Sequence, residues 1–125
     1  MNLSRNFTFE ELTYSRIAIE HGLENVPGPL AFQSLKNLAT YLLQPLRDRY
    51  GSAIAITSGY RNETVNLLVG GVKNSQHTKG EAADCYIAEG PEKLLEILKA
   101  SGLDFDQAIL YRRKKFRLCI DGIPI

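Results

Sequence analysis

The stretch SQHTKGEAADC, residues 75–85, carries one of the chain's two histidines seven positions before an aspartate. From Val72 to Gly80 there is no apolar periodicity, which reads as a loop. EAADCYI, residues 81–87, then reads as a strand with Ala82, Asp84 and Tyr86 on one face and Ala83, Cys85 and Ile87 on the other. A loop histidine running into a strand aspartate is one simple way to make an imidazole nitrogen and a carboxylate oxygen converge, and both bind Zn²⁺ at about 2.0–2.2 Å. Gly80 and Ala82 are small spacers where chain and metal would approach. On spacing alone, a His-x6-Asp pair is more often two unrelated surface residues.

The flanking elements set the fold class. Thr8 with Glu11 three residues on is a capping-box signature, and Phe9, Leu12 and Ile17 continue at helical spacing to a stop at His21-Gly22, giving a helix over residues 9–21. After the Pro/Gly punctuation ENVPGP, leucines at 30, 35, 38, 42, 43 and 46 form the stripe of a long core helix with a kink near Pro45. SAIAITSGY, residues 52–60, is a strand whose end delivers Tyr60 and Arg61 to a surface. NETVNLLVGG fits a short helix ending in glycines, and PEKLLEILKASG a second one opened by Pro91 and stopped by Gly102. QAILY and FRLCI pair as an antiparallel hairpin across the basic turn RRKK. The class is α+β, with helices first and then a small antiparallel sheet carrying an inserted helix.

Composition bounds the rest. A chain of 125 residues fits one domain, residues 1–125, around a single core. With 44% hydrophobic and 23% charged residues and a net charge of +1, no global field attracts nucleic acid or membranes. The opening MNLSRNFTFEELTYSR lacks a signal peptide's apolar stretch and no window approaches transmembrane length, so the expected place of synthesis is the cytoplasm and no membrane partner is expected. Cys85 and Cys119 are then two reduced thiols.

SGYR at 58–61, VGG at 69–71 and SQHTKGEAAD at 75–84 come in one order at short separations. Together they resemble the zinc D-Ala-D-Ala carboxypeptidase family of murein peptidases, whose fold is similar to that of the Hedgehog signalling domain. FTFEELTYS and NVPGP are similar to the opening of its small phage and bacterial members, and FDQAI at 105–109 to the stretch before their last strand, so the resemblance runs to about Leu110. It implies N-terminal helices packed on a small antiparallel sheet, Zn²⁺ as cofactor on His77 and Asp84, Ser75 and Arg61 as substrate-holding residues with Tyr60 beside Arg61 as a further candidate substrate contact, and peptidoglycan stem peptides as partner. An arginine suits the task because a guanidinium makes charge-assisted bonds to a carboxylate or a developing oxyanion. The plainer alternatives are a surface ion pair for Arg61 and a turn or cap role for Ser75.

The sequence departs from that family near its end. A catalytic zinc site has three protein ligands, an open position and a carboxylate base. The family's glutamate position falls at Tyr111 and its third-ligand histidine at Leu118. His21 sits where it caps a helix, and Cys119 is a chemically credible third ligand that strand alternation points away from the Leu118 face; the general base is unassigned. Two readings follow: a diverged peptidase, released to the wall by lysis machinery, or a non-catalytic peptide- or muropeptide-binding protein on the same scaffold. The RRKK run with nearby aromatics is a solvated turn before it is a nucleic-acid site.

Overall fold

Thr8 and Glu11 close the capping box. The Thr8 hydroxyl accepts the Glu11 amide at 3.1 Å and the Glu11 carboxylate accepts the Thr8 amide at 2.8 Å, opening α1 (Phe9–Thr13). The single helix expected over residues 9–21 is two. Tyr14 is extended, and Ser15 offers a second cap by accepting the Ala18 amide at 3.1 Å, which starts α2 (Arg16–Glu20). His21 closes α2, its ring Nδ1 donating to the Ile17 carbonyl at 3.0 Å, so this histidine caps as expected.

The computed structural model describes the backbone of residues 1–111 and 115–119 and the side chains of residues 1–110. The expected turn at RRKK lies outside the described residues. The leucine stripe forms α3 (Pro29–Leu38), a wide π turn (Ala39–Leu43) and α4 (Gln44–Tyr50). The irregularity expected at Pro45 takes the form of that turn, in which the Gln44 amide donates to the carbonyl of Ala39, five residues back. Widening the turn ahead of Pro45 accommodates a residue that has no amide to donate and whose ring crowds the preceding turn. Leu35, Leu38, Leu42, Leu43 and Leu46 are all fully buried. Gln44 ties this helix to the N-terminus: its Oε1 accepts from Ser4 Oγ and the Asn6 amide, and its Nε2 donates to Asn6 and Asp48.

The sheet is antiparallel with order β1-β2-β4-β3: β1 (Ala55–Ser58), β2 (Ala82–Tyr86), β3 (Gln107–Tyr111) and β4 (Lys115–Cys119). β3 and β4 pair as the expected hairpin, with β4 beginning at Lys115, one residue earlier than the sequence pattern suggests. Between β1 and β2 lie α5 (Glu63–Leu68), capped by Asn62, and a 3₁₀ turn (Gln76–Lys79) inside the stretch expected to be loop. Then α6 (Pro91–Ser101) ends at Gly102 as expected. Ala83, Cys85 and Ile87 join the helices' leucines in the core, so the helices cover that face of the sheet. The molecule is α+β, helices against a small antiparallel sheet.

Interior strand β2 is the backbone of the site, and Ala82 and Asp84 on its other face are also buried. What covers them is the 3₁₀ turn, held close to α3 by Gly80. Its φ is +74°, and a Cβ there would lie 2.4 Å from the Ala31 carbonyl oxygen. Gly22 has a similar φ of +64° with nothing within 4 Å of a Cβ. Gly80→Ala therefore combines left-handed strain with a backbone clash and is expected to cost about 2–4 kcal/mol, whereas Gly22→Ala carries only the strain, about 1–2 kcal/mol. Urea unfolding of both variants checks this; equal losses would show that the approach of the 3₁₀ turn to α3 is not tight.

Candidate functional site

The site is assembled from the end of β1. Ala55 and Ile56 pair with Tyr86 and Cys85, but Ser58 pairs with Asp84, so Thr57 is an extra residue and the strand bulges. Thr57 Oγ1 donates to the Asp84 carbonyl at 3.3 Å. Beyond the bulge comes Gly59, where a Cβ would lie 2.3 Å from the Leu12 carbonyl oxygen. That same carbonyl accepts the Tyr60 amide at 2.8 Å, so the end of α1 presses directly on this segment.

His77 is stitched to the segment twice. Its ring Nδ1 and the Gly59 carbonyl are 2.7 Å apart, and since a carbonyl only accepts, Nδ1 carries the hydrogen. Its own carbonyl accepts the Arg61 amide at 3.1 Å. Ser75 caps the 3₁₀ turn, its Oγ accepting the His77 amide at 3.2 Å, so the plainer role weighed for Ser75 is present.

With Nδ1 so engaged, Nε2 points to Asp84 Oδ1 at 3.4 Å. The two side chains are 1% and 5% exposed, and Nε2 has no hydrogen-bond partner among the described residues. A charge-assisted bond between imidazolium and carboxylate would close to about 2.7–2.9 Å. Two ligand atoms about 2.0–2.1 Å from one tetrahedral metal stand roughly 3.4 Å apart. The donor pair, its separation and the hydrogen bond fixing the ring's other nitrogen all fit a metal-binding half-site.

Arg61 and Tyr60 are placed otherwise than expected. The bulge turns the chain inward, so neither is delivered to a surface: they are 8% and 7% exposed, and Tyr60 packs in the core. Burial pushes the Tyr60 hydroxyl above its usual range, with the charge of Glu63 adding to the effect. His77, Ser75 and Ala82 line a hollow of about 190 Å³ with Val72, Asn74, Gln76 and Gln107. A second hollow of about 430 Å³ shares Asn74 and is lined by Glu63, Asn66, Leu67, Gly71, Lys73 and Thr78. The sequence reading assigns Asn74 and Gln107 no site role: Asn74 takes a left-handed φ of 62°, and Gln107, read only as part of FDQAI and the strand QAILY, sits at the start of β3.

Among the described residues no group of three His, Cys, Asp or Glu side chains converges. The side chains of Tyr111, Leu118 and Cys119, on which a third ligand and a base were sought, lie outside the described residues. Their backbone positions are informative. β4 runs beside β2 with Asp84 opposite Arg117, Ala83 opposite Leu118 and Ala82 opposite Cys119. Directly opposed positions of an antiparallel pair share a face. The register therefore sets position 119, and not 118, on the Asp84 side of the sheet.

No curated protein matches the chain. The family model described as Peptidase M15 matches residues 5–118, which carries the likeness past Leu110, where the motif resemblance stops, and into β4 as far as Leu118. A match across nearly the whole of the fold shows that the chain belongs to the Peptidase M15 family.

Proposed function

We propose that the protein is a zinc-dependent peptidase of the D-Ala-D-Ala carboxypeptidase type that hydrolyses peptidoglycan stem peptides. The observation that carries this reading is the buried convergence of His77 Nε2 and Asp84 Oδ1 at 3.4 Å. His77 and Asp84 would hold the metal, and Cys119 is the candidate third ligand, supported by its register position opposite Ala82. Bound zinc supplies Lewis acidity and lowers the pKa of a coordinated water toward neutrality.

The chain's own residues do the remaining work. The Gly59 carbonyl holds the His77 ring in the tautomer that presents a lone pair at Nε2. Ser75 Oγ fixes the His77 backbone, and Arg61, joined to it through its amide, is the candidate group for a substrate carboxylate or developing oxyanion. The hollow at His77 and the larger one share Asn74 as a lining residue, and an extended peptide lying along both would pass Lys73 and Glu63. No helix among the described residues is long and apolar enough to cross a membrane; access to the wall through lysis machinery is part of the proposal.

The second reading, a non-catalytic peptide- or muropeptide-binding protein, is favoured by Tyr111 and Leu118 at the positions where the family's glutamate and histidine are expected. Metal content and turnover separate the two. Stoichiometric zinc with release of D-alanine or cleaved stem peptides from murein supports the enzyme; zinc without release supports the binding protein; protein that stays zinc-free after supplementation overturns the metal site itself.

His77→Ala is expected to weaken zinc binding by more than the roughly 10–100-fold typical of outer-shell changes. Cys119→Ala should lower zinc affinity as well, and an unchanged affinity removes Cys119 from the ligand set. In an active preparation, Arg61→Lys is expected to lower kcat by about 10²–10³ with zinc affinity retained, since a point charge does not replace a planar fork at an oxyanion.

A further inference from the structure

The segment Gly59–Arg61 makes two of the contacts that hold His77, one to its ring and one to its carbonyl, so what holds that segment bears directly on the site. Its outer side is gripped by one side chain. Asn25 Nδ2 donates to the Tyr60 carbonyl and to the Thr13 carbonyl, each at 2.9 Å, while its Oδ1 accepts the Asn62 amide at 2.8 Å. Each of the two atoms is thus engaged, and three separate pieces of chain converge on one amide: the end of α1, the turn after β1, and the linker ahead of α3. Asn62 returns the grip, its Nδ2 donating to the Glu24 carbonyl and its Oδ1 accepting the Val65 amide to cap α5.

We propose that Asn25 is a positioning residue for the metal half-site, holding the peptide units on either side of Arg61 and so presenting the Arg61 amide to the His77 carbonyl and, one unit back, the Gly59 carbonyl to His77 Nδ1. Only an amide fits this place. Two carbonyls must be met by donors and one amide by an acceptor, and asparagine alone offers that set on so short a stem. The linker carrying Asn25 is therefore a working part of the site, although it lies 52 residues before His77 in the chain. The inference rests on reading His77 and Asp84 as the site.

Gln44 supplies the control, because it too makes hydrogen bonds to several distant groups, at the N-terminus and far from His77 in the hydrogen-bond network. Hydrogen exchange of the Arg61 amide, which needs no metal, is compared with that of core amides such as Leu42 in Asn25→Ala and Gln44→Ala. Asn25→Ala is expected to speed Arg61 exchange at least tenfold beyond any change at Leu42, and Gln44→Ala is expected to move both together. Arg61 protection that falls only in step with Leu42 in Asn25→Ala overturns the proposal. Should Asn25→Ala fail to fold, Asn25→Asp keeps the bond from Asn62 and sets an oxygen against the two carbonyls, with the same expected outcome.

In zinc titrations, Asn25→Ala should weaken binding about tenfold or more while Gln44→Ala leaves it unchanged; equal affinities in the two variants also overturn the proposal. A wild-type protein that binds no zinc sinks the metallopeptidase reading, and the exchange result then still decides the role of Asn25.

Discussion

The hydrogen bond from His77 Nδ1 to the Gly59 carbonyl at 2.7 Å sets the imidazole where two parts of this molecule meet, beside the Arg61–His77 backbone bond and the β1–β2 pairing. On one side of it are the helices and the end of β1; on the other are the 3₁₀ turn and the central strand. Because a carbonyl has only lone pairs to offer, Nδ1 carries a hydrogen, and Nε2 is the ring atom turned to the Asp84 carboxylate.

The geometry around that bond explains why small residues recur here. The Leu12 carbonyl fills the space above Gly59, and the Ala31 carbonyl fills the space above Gly80, so two helices press their backbones against the two ends of the site. Ala82, also fully buried, lies between. Polar side chains are bought into this interior by pairing them with backbone groups, as Asn25 and Ser75 show.

Much of this was legible in the sequence wherever the cause was local. The Thr8–Glu11 box and the glycine stops declare themselves within a few residues, and the α+β class follows from the order of such elements. The His77–Asp84 pairing was legible through spacing together with neighbouring motifs. The split at Tyr14 was hidden because the helical pattern of Leu12 and Ile17 continues across it. The inward turn of Tyr60 and Arg61 was hidden because it depends on one extra residue at Thr57, and a bulge is decided by the partner strand. The grip of Asn25 on Tyr60 and Asn62 spans 35 and 37 residues, beyond any local pattern.

The wide turn at Ala39–Leu43 has a consequence for how this helix can vary. An α-helix advances about 100° per residue, and a π turn holds one residue more than an α turn, so everything after it is rotated by that angle relative to an uninterrupted helix. Leu42, Leu43 and Leu46 are all buried in this phase, and Gln44 is the face that meets Ser4 and Asn6. Loss of one residue from the turn would act as a rotation more than a shortening. It would swing the second half of the helix around its axis, take Gln44 off the N-terminal segment and recast which leucines are interior, while the first half kept its place under the site.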